Sequence, residues 1–135
     1  MTYNVSVASA TNTFMKYLNT LILFLSLYLN CYSEEHLARV TYYWDGNITA
    51  IGSKLINNKT IAVDPKIIRY GSRIFIPAMN KTFVAEDTGS AVKSRLASRK
   101  NGRTNIVVDI YCKNKKEALN YIARYPMFMK IEIVK

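Results

Sequence analysis

Three aspartates follow or interrupt apolar, strand-like runs, and they are the residues of this chain best placed to do chemistry. They are Asp64, Asp87 and Asp109. A carboxylate beside an apolar strand is costly to bury as an ion, so it either has a partner or binds its proton more tightly. Three such groups converging on one cleft would supply acid/base catalysis for the cleavage of a glycosidic bond.

Asp109 is the most informative of the three because it lies inside a strand-like run. Strand alternation puts it on one face with Val107 and Tyr111, and the opposite, purely aliphatic face would be core. Partial desolvation would raise the pKa of Asp109 and keep a proton available near neutrality, as a general acid requires. An ordinary solvent-facing aspartate is the alternative.

Asp87 lies in a turn-like segment that ends at Gly89. Its carboxylate could accept from turn amides, as in an Asx-turn, and Gly89 could adopt a positive φ. An ionised Asp87 close to Asp109 would raise the pKa of Asp109. Thr88 could orient either carboxylate, and Thr88 and Gly89 are candidates for contacting substrate. Glu86 alternates to the opposite side and is predicted to lie at the surface.

Aromatic and basic residues could complete a sugar-binding cleft. Tyr42, Tyr43 and Trp44 are consecutive, so a strand sends at least one ring to each face. Two of the three rings are predicted to pack in the core, and Tyr43 is the candidate for contacting substrate. Lys93 could meet an anionic substrate group, with a solvated lysine as the alternative.

The elements that must position these residues are short strands and one helix. Asp64-Pro65 is typical of a single helical turn, so Asp64 has capping as an alternative role. The helix is predicted to run from Lys115 to Tyr125, with Asn114 as its N-cap and with Leu119, Ile122 and Ala123 on its apolar face. Residues 93–103 read as an exposed basic loop. The strands are predicted at residues 39–44, 47–51, 60–63, 73–76, 82–85, 105–112 and 128–134. Six or seven short strands with one helix indicate a mainly β fold, a small closed or nearly closed barrel.

The N-terminus is predicted to be a signal peptide covering residues 1–33. One lysine, Lys16, precedes an apolar run of about ten residues, and small residues follow near the end. Cleavage is expected after Ser33, and residues 1–14 are interpreted as an over-extended start. An uncleaved membrane anchor is the alternative. The domain proper is predicted to span residues 34–135 and to be secreted, periplasmic or associated with the cell wall.

The chain carries a formal net charge of +10. A secreted cationic domain would meet cell-wall polymers and not nucleic acid, and simple solubility is the alternative reason for the charge. The two cysteines, Cys31 and Cys112, form no disulfide framework or metal-ligand spacing. No cofactor or metal is therefore predicted, and Cys112 is interpreted as a buried structural thiol.

Four segments of the sequence, in the order typical of the family, resemble the three-aspartate (3D) domain family. They are Thr60–Lys66, Tyr70–Ile76, Val84–Lys93 and Ile106–Tyr111, and the tail through Phe128 is similar as well. This family is similar to the catalytic part of membrane-bound lytic transglycosylase A, which has a double-psi β-barrel fold. The resemblance therefore implies a six-stranded double-psi barrel with one C-terminal helix. The chain departs from it in the added basic loop, in Arg69 where a proline is common, and in lacking a second, glycan-clamping domain.

The resemblance also implies cleavage of peptidoglycan between N-acetylmuramic acid and N-acetylglucosamine. Asp109 would be the catalytic acid/base, Asp87 would polarise or position it, and Asp64 would line or stiffen the cleft. The nucleophile would be the C6 hydroxyl of the sugar itself, giving a 1,6-anhydro product. The partner would be the glycan strands of peptidoglycan, bound by a monomer that touches a membrane only through an uncleaved signal segment. A non-catalytic, expansin-like wall-binding module is the alternative.

Overall fold

The computed structural model describes residues 3–29 and 33–134. By its internal contacts the chain divides into two compact units, Met1–Tyr32 and Ser33–Lys135. Cys31, one of the small residues of the predicted cleavage motif, lies outside the described residues. The signal segment at residues 1–33 stays a prediction.

The first unit is one helix, α1 (Tyr3–Leu29), of 27 residues. Its charged residue is Lys16. Large apolar side chains such as Leu21 and Phe24 are 64% and 66% exposed. Across the part of the chain that the structure describes, no helix has both the length and the apolarity required to cross a membrane.

The second unit is a closed barrel of six strands in the order β1-β5-β2-β4-β3-β6. The parallel neighbours are β1 with β5 and β2 with β4, and the other four pairs are antiparallel. This confirms the six-stranded barrel and agrees with the double-psi fold that the resemblance implies. The strand bounds are β1 (Ser33–Tyr43), β2 (Thr60–Ala62), β3 (Arg73–Ile76), β4 (Lys81–Asp87), β5 (Val107–Tyr111) and β6 (Phe128–Val134).

Alternate side chains of the strands fill the barrel interior, because successive residues of a strand point to opposite faces. In β5 the residues that belong to the barrel core are Val108 and Ile110, which leaves Asp109 on the outer face as predicted. Phe83 has the largest volume among the completely buried side chains of the described residues. The core therefore holds the strands in a register that fixes where the outward side chains lie.

Helix α4 (Lys115–Arg124) is the predicted C-terminal helix and ends one residue earlier than expected. The side chain of Asn114 caps it by accepting from the Glu117 amide at 2.9 Å. The predicted apolar face is wrong: Leu119, Ile122 and Ala123 are exposed. The helix instead packs through Ala118, which is completely buried, and through Tyr121, whose side chain packs against the barrel core.

Three other segments differ from their predicted structure. Residues 47–51 form a turn with a single bridge between Ile48 and Lys54 instead of a strand. Strand β1 begins at Ser33, six residues earlier than expected, because its first half pairs with β6. The predicted loop at 93–103 overlaps two helical turns, α2 (Ser90–Lys93) and α3 (Leu96–Arg99). Val92 and Ser98 of these turns are buried, while the charged side chains of Lys93 and Arg99 stay exposed.

Candidate active site

Two of the three aspartates lie in one row that crosses the outer surface of the barrel. In β5, Asp109 is paired with Thr41 of β1 on one side and with Ala62 of β2 on the other. Ala62 in turn is paired with Asp87 of β4. Neighbouring strands are about 4.8 Å apart, so the backbones of Asp87 and Asp109 are separated by roughly 10 Å. The small side chain of Ala62 leaves the space between them open.

A β-bulge brings Asp87 into this row. Ile61 pairs with Ala85, but the next residue, Ala62, pairs with Asp87, so Glu86 is the extra residue. The predicted surface position of Glu86 is wrong, since only 7% of this residue is exposed. Its carboxylate accepts from the Thr60 hydroxyl at 3.1 Å and pairs with Lys59 at 3.1 Å. Glu86 and Asp87 can both face outward because the bulge interrupts the alternation.

Asp109 is partly buried and holds its proton unusually tightly. The hydroxyl of Thr41 donates to its Oδ1 at 2.9 Å. Burial raises the pKa of Asp109 from its usual 3.8 to about 6; the bond from Thr41 lowers it and the charge of Asp87 raises it. A carboxyl group with such a pKa is partly protonated at mildly acidic pH, which suits a general acid.

Asp87 is fixed by hydrogen bonds to both of its oxygens. The Tyr43 hydroxyl donates to Oδ2 at 2.7 Å, and the Ala50 amide donates to Oδ1 at 2.9 Å. Burial raises the pKa of Tyr43, and the hydrogen bond to Asp87 raises it further. The phenol therefore stays protonated and remains a hydrogen-bond donor. The ring of Tyr43 also meets that of Tyr111 edge to face, with centroids 5.5 Å apart. Asp87 and Tyr43 thus form a rigid pair.

A cavity of about 200 Å³ opens over this row, and we call it the acid cavity. Asp109 lines this cavity together with four other predicted site residues, which are Tyr43, Asp87, Thr88 and Gly89. The Thr88 hydroxyl is buried and has no hydrogen-bond partner. The complete lining is Tyr43, Ala62, Asp87, Thr88, Gly89, Ala91, Val92 and Asp109.

Two predicted site residues are not among the lining of the acid cavity. Asp64 caps a turn: its Oδ1 accepts from the Lys66 amide at 3.0 Å, and its carbonyl accepts from Ile67 and Ile68. Lys93 is exposed at the end of α2. Their roles in catalysis and binding stay predictions. Gly89 does line the cavity, but its φ of −171° is extended and the predicted positive φ is wrong.

The three consecutive rings separate as the alternation requires. Tyr42 packs against the core, Tyr43 faces the acid cavity, and Trp44 lines a different groove beside α4. Sequence reasoning missed Thr41, the hydroxyl bonded to Asp109. Its position becomes meaningful only when β1 is known to pair in parallel with β5.

Metal binding has little support within residues 3–29 and 33–134, where no three His, Cys, Asp or Glu residues group as metal ligands. Cys112 is buried and free, as predicted, and burial raises the pKa of its thiol to about 12. The reactive side chains that line the acid cavity carry carboxyl and hydroxyl groups.

The raised pKa of Asp109 predicts a pH-dependent cost to stability. The folded state holds this proton more tightly than the unfolded state, so the contribution of Asp109 is favourable at low pH and is lost between about pH 4 and 6. The loss is on the order of 3 kcal/mol at most. Asp109→Asn should be the more stable protein at about pH 8 and equal to the parent near pH 4. Urea unfolding at both pH values measures this, and the same difference at both would contradict the burial of a titrating carboxyl.

Comparison with known proteins identifies one family. The family model of the 3D domain matches residues 59–134, a range that contains all three aspartates. Among curated proteins there is no match. The matched range begins after β1, the strand that supplies Thr41 and Tyr43 to the site.

Proposed function

Since the chain belongs to the 3D-domain family, which is associated with peptidoglycan, we propose that it is a peptidoglycan lytic transglycosylase. The observation that carries the proposal is the partly buried Asp109, which shares a cavity with Asp87 and Tyr43 and has a pKa of about 6. Cleavage of a glycosidic bond needs an acid that still carries its proton near neutrality.

In the proposed reaction, protonated Asp109 donates its proton to the oxygen that joins C1 of N-acetylmuramic acid to N-acetylglucosamine. The C1–O bond breaks, and positive charge develops at C1. Ionised Asp109 then takes the proton of the C6 hydroxyl of the same muramoyl residue, and that oxygen bonds to C1. The products are a 1,6-anhydromuramoyl end and a free N-acetylglucosamine hydroxyl, with Asp109 protonated again and no water consumed.

The other groups of the acid cavity fit supporting roles. The charge of Asp87 helps to keep Asp109 protonated and would stabilise the positive charge at C1. Each oxygen of Asp87 accepts one hydrogen bond, which fixes the orientation of this carboxylate toward the substrate. The Thr88 hydroxyl has no partner within the protein and would form a hydrogen bond with a sugar hydroxyl or acetamido group.

The direct test is to incubate the purified domain with peptidoglycan sacculi and to identify the released fragments by mass spectrometry. The proposal expects muropeptides with 1,6-anhydro ends, 18 mass units lighter than hydrolysis products because no water is added. Fragments with ordinary reducing ends would show a two-carboxylate hydrolase instead. Binding to sacculi without released fragments would favour the wall-binding module. Either function requires that the protein lie outside the cytoplasmic membrane.

The pH profile provides a second prediction. Because the first step needs protonated Asp109, kcat/KM on sacculi should be level below about pH 6 and fall about tenfold per pH unit above it. Asp87→Asn removes a charge that raises the pKa of Asp109, so the fall should begin at lower pH in that variant. Initial rates of soluble fragment release across the pH range measure both effects. A profile that rises through neutrality would contradict the acid role of Asp109.

A further inference from the structure

A second cavity adjoins the acid cavity, and we call it the basic cavity. It has a volume of about 370 Å³ and lies between β1, β5 and the helical turns α2 and α3. Asp109 lines both cavities, and so does Ala91. The two spaces therefore meet at the carboxyl group that is proposed to transfer the proton.

The strand register arranges the two cavities along one groove. On the outer face, Arg39 of β1 is opposite Val107, Thr41 is opposite Asp109, and Tyr43 is opposite Tyr111. The five strand residues from Arg39 to Tyr43 span about 13 Å. Asp109 thus lies near the middle of the groove, with the basic cavity toward Arg39 and the acid cavity toward Tyr43.

The two ends of this groove carry opposite charges. Asp87 lines the acid cavity, whereas Arg39 and Lys100 line the basic cavity, where Asp109 is the one acidic residue of the lining. Neither Arg39 nor Lys100 takes part in a salt bridge formed within the described part of the chain. The positive charge of the basic cavity is therefore available to a ligand.

Arg39 is also held in place with a donor unused. Its Nη1 donates to the carbonyl oxygens of Val40 at 2.7 Å and Met127 at 3.2 Å. Its Nε is buried and has no hydrogen-bond partner. A buried, unpaired N–H of a charged group is costly, and a carboxylate oxygen would satisfy it.

We propose that the basic cavity binds the free lactyl carboxylate of the muramoyl residue whose bond is cleaved, as it occurs on a glycan strand without its peptide. This inference rests on the proposed function, because that function puts C1 of the muramoyl residue beside Asp109. The acidic substituent of the same residue must then lie within a few ångströms of Asp109. Of the two cavities that meet there, only the basic cavity has the charge to receive it. The charged ends would also fix the direction in which a glycan strand enters the groove.

The test compares two tetrasaccharides that share a β-1,4-linked backbone. One alternates N-acetylglucosamine with N-acetylmuramic acid and carries lactyl carboxylates; the other is chitotetraose, which carries none. Binding is measured by calorimetry in the Asp109→Asn background, so that turnover does not interfere. Lys100→Gln should weaken binding of the muramoyl tetrasaccharide about tenfold and change that of chitotetraose less than about twofold. Lys100→Arg should restore the selectivity.

The matched control is Lys116→Gln, which removes the same charge from an exposed position on α4 and should change neither affinity. Equal weakening for both sugars, or none, would overturn the inference. The readout is independent of catalysis. If the parent gives anhydro products but its Lys100→Gln variant binds both sugars normally, only the proposal that the basic cavity binds the carboxylate is rejected. If Lys100 determines the preference for the muramoyl tetrasaccharide but no anhydro product forms, only the proposed transglycosylase activity is rejected.

Discussion

Replacement of Asp109 by asparagine should lower the release of anhydro-muropeptides from sacculi by a factor of about 10² to 10⁴, the usual contribution of a general acid/base. Asparagine has nearly the same shape and can still accept from the Thr41 hydroxyl, so the site should keep its geometry. What the variant lacks is a transferable proton. Fragment release is quantified by mass spectrometry under conditions where the parent is linear with time.

The matched control for this variant is Asp45→Asn, which makes the same chemical change at an exposed position. It should retain the parental rate. Sacculus binding by Asp109→Asn should also be retained, which separates loss of chemistry from loss of substrate. Residual activity above about one-tenth of the parent would show that another group supplies the proton.

Truncation of Phe83 to alanine should lower the free energy of unfolding by about 3–5 kcal/mol. Phe83 is completely buried in the barrel core, and its removal leaves a cavity that the surrounding strands cannot close. A small domain has about 5–15 kcal/mol in total, so much of its stability would be lost. Urea unfolding followed by circular dichroism measures the change.

Leu119→Ala is the control, because Leu119 is 51% exposed on α4. Its effect should stay within about 0.5 kcal/mol, as is usual for surface substitutions. If Phe83→Ala cost no more than Leu119→Ala, the closed barrel with its interior side chains would not be the stable form of the protein.

The sequence predicted the barrel well where strands alternate regularly. Residues 128–134 alternate without interruption, and β6 has those bounds. The first half of β1 contains Glu34 and Glu35, whose types do not favour a strand. It is extended because its backbone pairs with β6, a long-range contact that local pattern does not reveal.

Two features of the site could not be predicted from the sequence. One depends on the bulge between β2 and β4, and the other depends on the pairing of β1 with β5. A period of two assigns Glu86 and Asp87 to opposite faces, and the bulge beside Ala62 is what changes this. The Thr41 hydroxyl reaches Asp109 across 68 residues of sequence. The carboxyl group itself was identifiable from its strand, whereas its hydrogen-bond donor was not.

The position of β1 in the barrel affects the order of events during synthesis. Its two neighbours are β5 and β6, the last two strands of the barrel in chain order. A nascent chain therefore cannot close the barrel before residues 128–134 are made, and until then the first strand has no native partner beyond β5. Loop-closure entropy over such separations slows folding and leaves strand edges exposed in the meantime. The groove, whose Arg39, Thr41 and Tyr43 come from β1 and pair with β5, consequently cannot form before residues 107–111 have been made.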